Sequence, residues 1–306
     1  MIDVRRLQVL AEVARHGSFN RAAAELRLTP SAVSQQISAL ERAVGAAVVE
    51  RSTRGVELTE AGRLLVATAE AVTAELARTE KELDRLAHAP TDRMTVATFT
   101  SGGQRLLPAA LRRLAADRPG VEFTVLERDP EDSLPQVRSG EADLALVYHF
   151  DGPPPVRPGD RSGLIWTPLM EDPMFVVLPA GHRFAERDTL RIADLAGERW
   201  VHGCLEMGDM LDRYTALAGY EPDVACRGTD YVFAQSLVRA GVGISMIPQV
   251  ALVADQGGLV AVPLTPPGPC RHVGVVTARR RRPDPLTDAL LRSLRDTVAA
   301  LPVSAP

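Results

Sequence analysis

Apolar residues recur at steps of three and four through the first 45 positions, and that spacing predicts three short helices. Leu7, Leu10, Ala11 and Ala14 share one helical face. Gly17 ends that helix, and Ser18 is placed to cap the next. Phe19, Ala22, Ala23 and Leu26 repeat the pattern. Leu28 and Thr29 make a tight turn. Thr29 then caps a third helix with Pro30 in its first position, where the missing N–H costs nothing. Val33, Ile37, Leu40 and Val44 form the buried stripe of that helix. In the stretch 46–59, two short apolar segments flank Arg51, Ser52, Thr53, Arg54 and Gly55, the pattern of a hairpin. From Glu60 to His88 there is no Pro, and Leu65, Ala69, Val72, Leu76, Thr79, Leu83 and Leu86 step by four and three. This heptad seam predicts a rod of roughly 42 Å, from ~28 residues rising about 1.5 Å each. A partner helix stabilises such a rod better than solvent does. Residues 89–92 (Ala-Pro-Thr-Asp) break the pattern as a hinge.

The rest of the chain alternates strand and helix patterns. Strands are expected at 94–99, 121–126 and 142–147, with helices at 104–117 and 132–139 between them. This βαβαβ order predicts a parallel, doubly wound sheet. The stretch Leu164–Pro179 holds two strand candidates around Asp172-Pro173. A second cycle follows, with strands at 199–201, 223–226 and 242–247 and helices at 207–218 and 230–240. A strand at 271–277 and a helix at 285–300 close the chain. Two α/β lobes joined by two crossings fit a periplasmic-binding-protein-like domain, with boundaries near Pro179 and Pro266.

The third helix carries the first chemical signal. Ser31, Ser34, Gln35, Ser38 and Arg42 lie opposite its apolar stripe. Short hydroxyl side chains allow close approach to a major groove, and amides read base edges there. A solvated helix face is the bland alternative. Two helices joined by a tight turn shift the reading toward DNA. Arginines at the hairpin tip suit phosphates or a minor groove.

These residues also carry a resemblance. Ser18-Phe19-x-x-Ala22-Ala23-x-x-Leu26, then Thr29-Pro30-Ser31-Ala32-Val33-Ser34-Gln35-Gln36-Ile37-x-x-Leu40-Glu41-x-x-Val44-Gly45, then Arg51-x-x-Arg54-x-Val56-x-Leu58-Thr59-x-Ala61-Gly62 resemble the N-terminal signature of LysR-type transcriptional regulators. Val48-Val49 departs from the usual Leu-Phe of that family, and both pairs fill a core. The resemblance implies an N-terminal all-α winged helix-turn-helix with a long linker helix, followed by the two-lobed α/β domain that binds an effector. It implies DNA contacts at Thr29, Pro30, Ser31, Ser34 and Gln35. The helix face adds Ser38 and the hairpin adds Arg51 and Arg54. Residues 1–59 are then the DNA-binding domain, 60–88 the dimerisation helix and 89–306 the effector domain. Lobe I takes about 93–179 and 267–306, and lobe II about 180–266. A homodimer or homotetramer on double-stranded promoter DNA is expected, with RNA polymerase a candidate partner.

Composition changes this picture little. The chain has 306 residues and a net charge of -4, so no global basic field advertises nucleic acid. The first 58 residues hold eight arginines against six acidic residues, and the excess sits where DNA is expected. Cys204, Cys226 and Cys270 are widely spaced and suggest neither a metal knuckle nor a disulfide framework. The opening Met-Ile-Asp-Val-Arg-Arg lacks an apolar signal region, and no apolar run reaches the ~18 residues of a membrane span. A cytoplasmic protein with no membrane role is expected.

In a two-lobed sheet domain, ligands bind beyond the carboxyl ends of strands, near helix N-termini. Those positions are Thr100, Ser101, Gly102, Arg128 and His149 in lobe I, and His202, Thr229 and Pro248 in lobe II. The Thr100-Ser101-Gly102 cradle suits a carboxylate, so an anionic effector is one expectation. For each residue alone, capping or structural hydrogen bonding explains it as well. No nucleophile elbow, P-loop, dinucleotide fingerprint or metal cluster is present, so neither a cofactor nor catalysis is expected. Two alternatives stay open. One is a small-molecule-binding protein without a DNA role. The other is a thiol redox sensor acting through Cys204, whose nearest cysteine in sequence is Cys226. Arg279 to Arg282 read as a solvated loop, with a second DNA patch as the alternative.

Overall fold

The computed structural model describes residues 2–52, 55–87, 93–156, 163–253, 257–265, 268–279 and 284–301. The hinge at 89–92, the wing-tip residues Thr53 and Arg54, Pro266 and Arg280–Arg282 lie outside them.

The N-terminal unit forms as its pattern predicts. Helix α1 (Val4–His16) starts at Asp3, whose carboxylate accepts from the Arg5 N–H, and ends at Gly17 with φ 57°. Helix α2 (Phe19–Glu25) is capped by Ser18, and α3 (Pro30–Val44) by Thr29. The turn between α2 and α3 needs a left-handed residue, and Arg27 takes it at φ 55°. Leu10, Val13, Val33, Ile37, Leu40 and Val48 are all but fully buried in one core. Each such side chain contributes about 1.5–3 kcal/mol. Strands β1 (Val49–Ser52) and β2 (Gly55–Leu58) form the antiparallel wing, held to the end of α1 by the Val56 N–H donating to the Gly17 carbonyl at 3.1 Å.

Helix α4 (Glu60–Ala87) is the rod. Its first turn abuts Val48 so closely that a Cβ on Gly62 would lie 2.0 Å from the Val48 carbonyl oxygen. Leu65 and Ala69 complete the N-terminal core, whereas Leu76 and Leu83 are exposed.

Lobe I is built on β3 (Arg93–Thr98), β4 (Glu122–Glu127) and β5 (Leu144–His149), parallel as expected. The helix expected over 104–117 is two helices, α5 (Thr100–Arg105) and α6 (Leu107–Asp117), because Pro108 restarts the helix. Helix α7 (Pro130–Ser139) covers the other face and docks on α4 through Arg138 and Glu70, 2.9 Å apart. Gly140, at φ 81°, ends α7 against Ala74 and Ala77 of α4.

Leu164–Pro179 is a single strand, β6, and the two strands expected there are corrected to one. Its first part pairs antiparallel with β11 (Cys270–Ala278), up to Pro173. Its last part pairs with β9 (Ser245–Pro248) and β10 (Leu259–Pro263), from Met174 onward. The strand survives the buried charge of Asp172 because Arg271 stands opposite it in the ladder. The partner change at Pro173–Met174 marks the crossing, earlier in the chain than Pro179. Lobe II adds β7 (Arg199–His202), α8 (Leu205–Leu217), β8 (Asp223–Arg227) and α9 (Tyr231–Arg239), and α10 (Pro285–Ala299) returns to lobe I. Trp200 is fully buried at the centre of lobe II.

Candidate functional sites

The front of α3 is a clean polar face. Ser31, Gln35 and Ser38 are exposed, Ser34 is half-buried, and Val33, Ile37 and Leu40 are buried behind them. The Thr29 hydroxyl accepts from the Ala32 N–H at 3.2 Å and stands 3.0 Å from the Ser31 hydroxyl. This cap leaves the α3 N-terminus pointing outward, where a phosphate is favoured. Arg51 lies on β1, and Arg54 lies outside the described residues.

The second site is a cavity of about 40 Å³ between the lobes. Lobe I contributes Thr100, Ser101, Gln104, Asp129 and Tyr148, and lobe II contributes Cys204, Thr229, Asp230 and Tyr231. Arg271 lines it from the linking strand β11. Arg271 donates to Asp172 through Nε at 2.9 Å and Nη2 at 2.7 Å, and Nη2 also reaches the Ser101 hydroxyl at 3.1 Å. Asp172 in turn accepts from the Val250 N–H at 2.9 Å. Both charged side chains are essentially inaccessible. Burial opposes the Arg271 charge, but Asp172 beside it holds the guanidinium above its ordinary value. The rings of Phe99 and Tyr148 pack edge-on at 4.9 Å, each 5.0 Å from the Arg271 guanidinium carbon. The Cys204 sulfur lies 3.8 Å from the Tyr148 hydroxyl.

Of the eight effector candidates, Thr100, Ser101 and Thr229 line this cavity. Gly102 sits just beneath it, where a Cβ would meet Phe99 at 2.6 Å and Leu146 at 2.8 Å. Arg128 is exposed beside an acidic depression with Thr100, Glu127, Asp129 and Asp132. His149 points elsewhere, stacked on His272 at 4.9 Å and hydrogen-bonded to the Phe150 carbonyl. His202 is buried under α8, close to Gly208. Pro248 ends β9, buried against Met174 of β6.

Sequence reasoning missed Arg271, Asp172, Tyr148 and Tyr231. A signal existed for the first two: Arg271 is a lone charge inside an apolar strand pattern, and Asp172 stands with Glu171 as an acidic pair inside another. Such residues are buried only when paired. For the tyrosines there was no signal. Among the described residues, no group of His, Cys, Asp and Glu is arranged to hold a metal, and no helix is long and apolar enough to cross a membrane.

Known proteins share both units. Residues 4–63 match the bacterial regulatory helix-turn-helix protein, lysR family, and residues 87–299 match the LysR substrate binding domain. The DNA-binding transcriptional dual regulator OxyR of Escherichia coli is 29% identical over 284 residues, 90% of this chain and 89% of that protein. A hydrogen peroxide-inducible genes activator of Dickeya chrysanthemi is 27% identical over 281 residues, 90% and 89% of the two chains. A full-length OxyR variant from Pseudomonas aeruginosa shares the fold at TM-score 0.58 and 21% identity, over 96% of this chain and 98% of that one. Full-length CbnR in complex with its target DNA does so at TM-score 0.54 and 20% identity, over 97% and 100%. The two matched models between them span nearly the whole chain, and it belongs to the LysR family of DNA-binding transcriptional regulators with a C-terminal effector-binding domain.

Proposed function

We propose that this regulator reads its promoter with Thr29, Pro30, Ser31, Ser34, Gln35 and Ser38 at the front of α3. Arg51 and Arg54 of the wing hold the sugar-phosphate backbone. Residues 1–59 then read DNA, 60–88 pair two chains, and 89–306 hold a small effector. The protein acts by binding in the cytoplasm, with RNA polymerase as its partner at the promoter, and turns nothing over.

One observation carries the effector reading. The cavity draws its lining from both lobes, and Arg271 in that lining is paired with Asp172 behind it, across β11 and β6, the two strands that link the lobes. A ligand there touches both lobes at once, so its affinity differs between open and closed forms, and that difference shifts the equilibrium. The test is fluorescence anisotropy on the upstream region and on scrambled DNA. Gln35→Ala should lose roughly 1–3 kcal/mol of discrimination between them. Arg54→Ala should weaken both and flatten the salt dependence. Identical behaviour of the two variants on both DNAs defeats this division of roles.

A second reading is favoured by one thiol. Cys204 lines the cavity beside Tyr148, and several relatives are named as hydrogen peroxide-inducible genes activators. In this reading a hydroperoxide meets Cys204. An S–O bond forms, the O–O bond breaks, and the thiol proton leaves with the departing oxygen as water or alcohol. Cys204→Ser with an intact peroxide response in cells removes this reading and leaves the first standing.

A further inference from the structure

The interlobe cavity holds one hydroxyl that no group of the protein satisfies. Tyr231 opens α9, and its Oη is buried without a hydrogen-bond partner. The Cys204 thiol, a weak partner at best, lies beside it and adds to the rise of the phenol, and the Arg271 guanidinium carbon is 5.9 Å from its ring centre. Burial pushes the phenol well above its ordinary value, so it stays an O–H donor across the physiological range. The ring is also pinned. It packs against the backbone of Gly203, where a Cβ would lie 2.6 Å from Tyr231 Cδ1. An unsatisfied buried donor costs roughly 1–3 kcal/mol. An acceptor brought in from outside would recover that.

Charge and size narrow the acceptor. Arg271 is the only cationic residue among those lining the cavity, and Asp172 already neutralises it in direct contact. Asp129 and Asp230 add two negative charges to the lining. Asp230 also meets the α9 dipole, accepting from the Phe233 N–H at 2.6 Å. Helices α7, α8 and α9 begin at Asp129, Cys204 and Asp230 and each bring about half a positive charge, together still short of the two aspartate charges. A carboxylate would therefore enter against the net field, whereas an uncharged molecule would not. The space, about 40 Å³, holds about three waters at ~10–15 Å³ each.

We propose that the cavity takes a compact, uncharged molecule of about three or four heavy atoms carrying an amide or carbonyl acceptor, and that the Tyr231 hydroxyl donates to it and sets the specificity of the site. The proposal rests on the effector reading above, and it replaces the carboxylate that the Thr100-Ser101-Gly102 cradle suggested.

The test compares formamide with formate, and acetamide with acetate, by calorimetric titration of the full-length chain. Each pair matches in heavy atoms and differs in charge. Tyr231→Phe keeps the ring and removes only the hydroxyl. The amides should bind the wild type about tenfold more tightly than the carboxylates, and Tyr231→Phe should lose about tenfold in amide affinity. Tyr231→Phe should also be at least as stable as the wild type, because an unsatisfied group has gone. Carboxylates binding as tightly as amides, amide affinity untouched by Tyr231→Phe, or no amide binding at all would each overturn the proposal. Thr229→Trp, which fills the cavity wall, separates this from the reading beneath it. If the promoter response in cells survives Thr229→Trp, the effector reading itself fails. If Thr229→Trp abolishes the response and Tyr231→Phe leaves it whole, only the proposal about Tyr231 fails.

Discussion

At the residue scale, the Asp172–Arg271 pair has the greatest consequence. Two buried charges stand 2.7 Å apart, and removing one strands the other. Asp172→Ala should cost about 3–5 kcal/mol in urea unfolding, while replacing both residues by apolar ones of similar volume should cost far less. Equal losses from the single and double replacements would show that the pair is not what holds this site. His149 and His202 make a second prediction. Burial lowers both below the ordinary 6.5, with His272 and Arg227 adding to it respectively. The folded state therefore holds these imidazoles neutral while the unfolded chain protonates near 6.5. Their contribution is intact above that pH and is lost as pH falls through it. The urea midpoint should drop between pH 7.5 and pH 5.5, and His202→Gln should flatten the drop. A midpoint independent of pH in the wild type would contradict this.

At the element scale, the helix patterns translated with one break and the strand patterns did so in part. The capping residues Ser18 and Thr29 and the stop glycine Gly17 bound their helices as read, because caps act within one turn, and Gly45 ends α3 in the same left-handed way. Pro108 inside the expected 104–117 helix was a visible break that periodicity alone overlooked. Strand β6 was misread because Asp172-Pro173 looks like a turn locally, and only the facing Arg271 makes it a strand. Gly62 belongs to the quoted motif for a steric reason, its contact with the Val48 carbonyl. Gly62→Ala should destabilise the N-terminal unit by about 1–3 kcal/mol, read as an earlier thermal transition. The exposed half of the α4 seam carries its own prediction. Leu76 and Leu83 are half-exposed or more on a single chain, so a partner helix is their natural cover. Leu76→Glu with Leu83→Glu should shift the sedimentation coefficient to that of a lone chain without lowering helix content.

At the scale of the whole molecule, function depends on parts that no local pattern relates. The cavity gathers residues from position 99 to position 271. Asp151, just after β5, clasps lobe II through Arg213 at 2.6 Å and the Tyr214 hydroxyl at 2.5 Å. The α7–α4 contact ties lobe I to the rod that carries the DNA-reading unit. Arg138→Ala should therefore leave effector binding unchanged and alter its effect on DNA affinity, measured as the ratio of promoter affinities with and without effector. An unchanged ratio would show that this contact carries no coupling.

Family, the exposed polar face of α3 and the alternation of two α/β lobes were all present in the chain order, because periodicity, caps and turns are short-range consequences of residue type. The cavity was legible only in outline, through Thr100, Ser101 and Thr229 at strand ends. Arg271, Asp172, Tyr148 and Tyr231 meet only once β6 and β11 pair and the lobes close, since burial and charge pairing between residues a hundred positions apart exist in three dimensions alone.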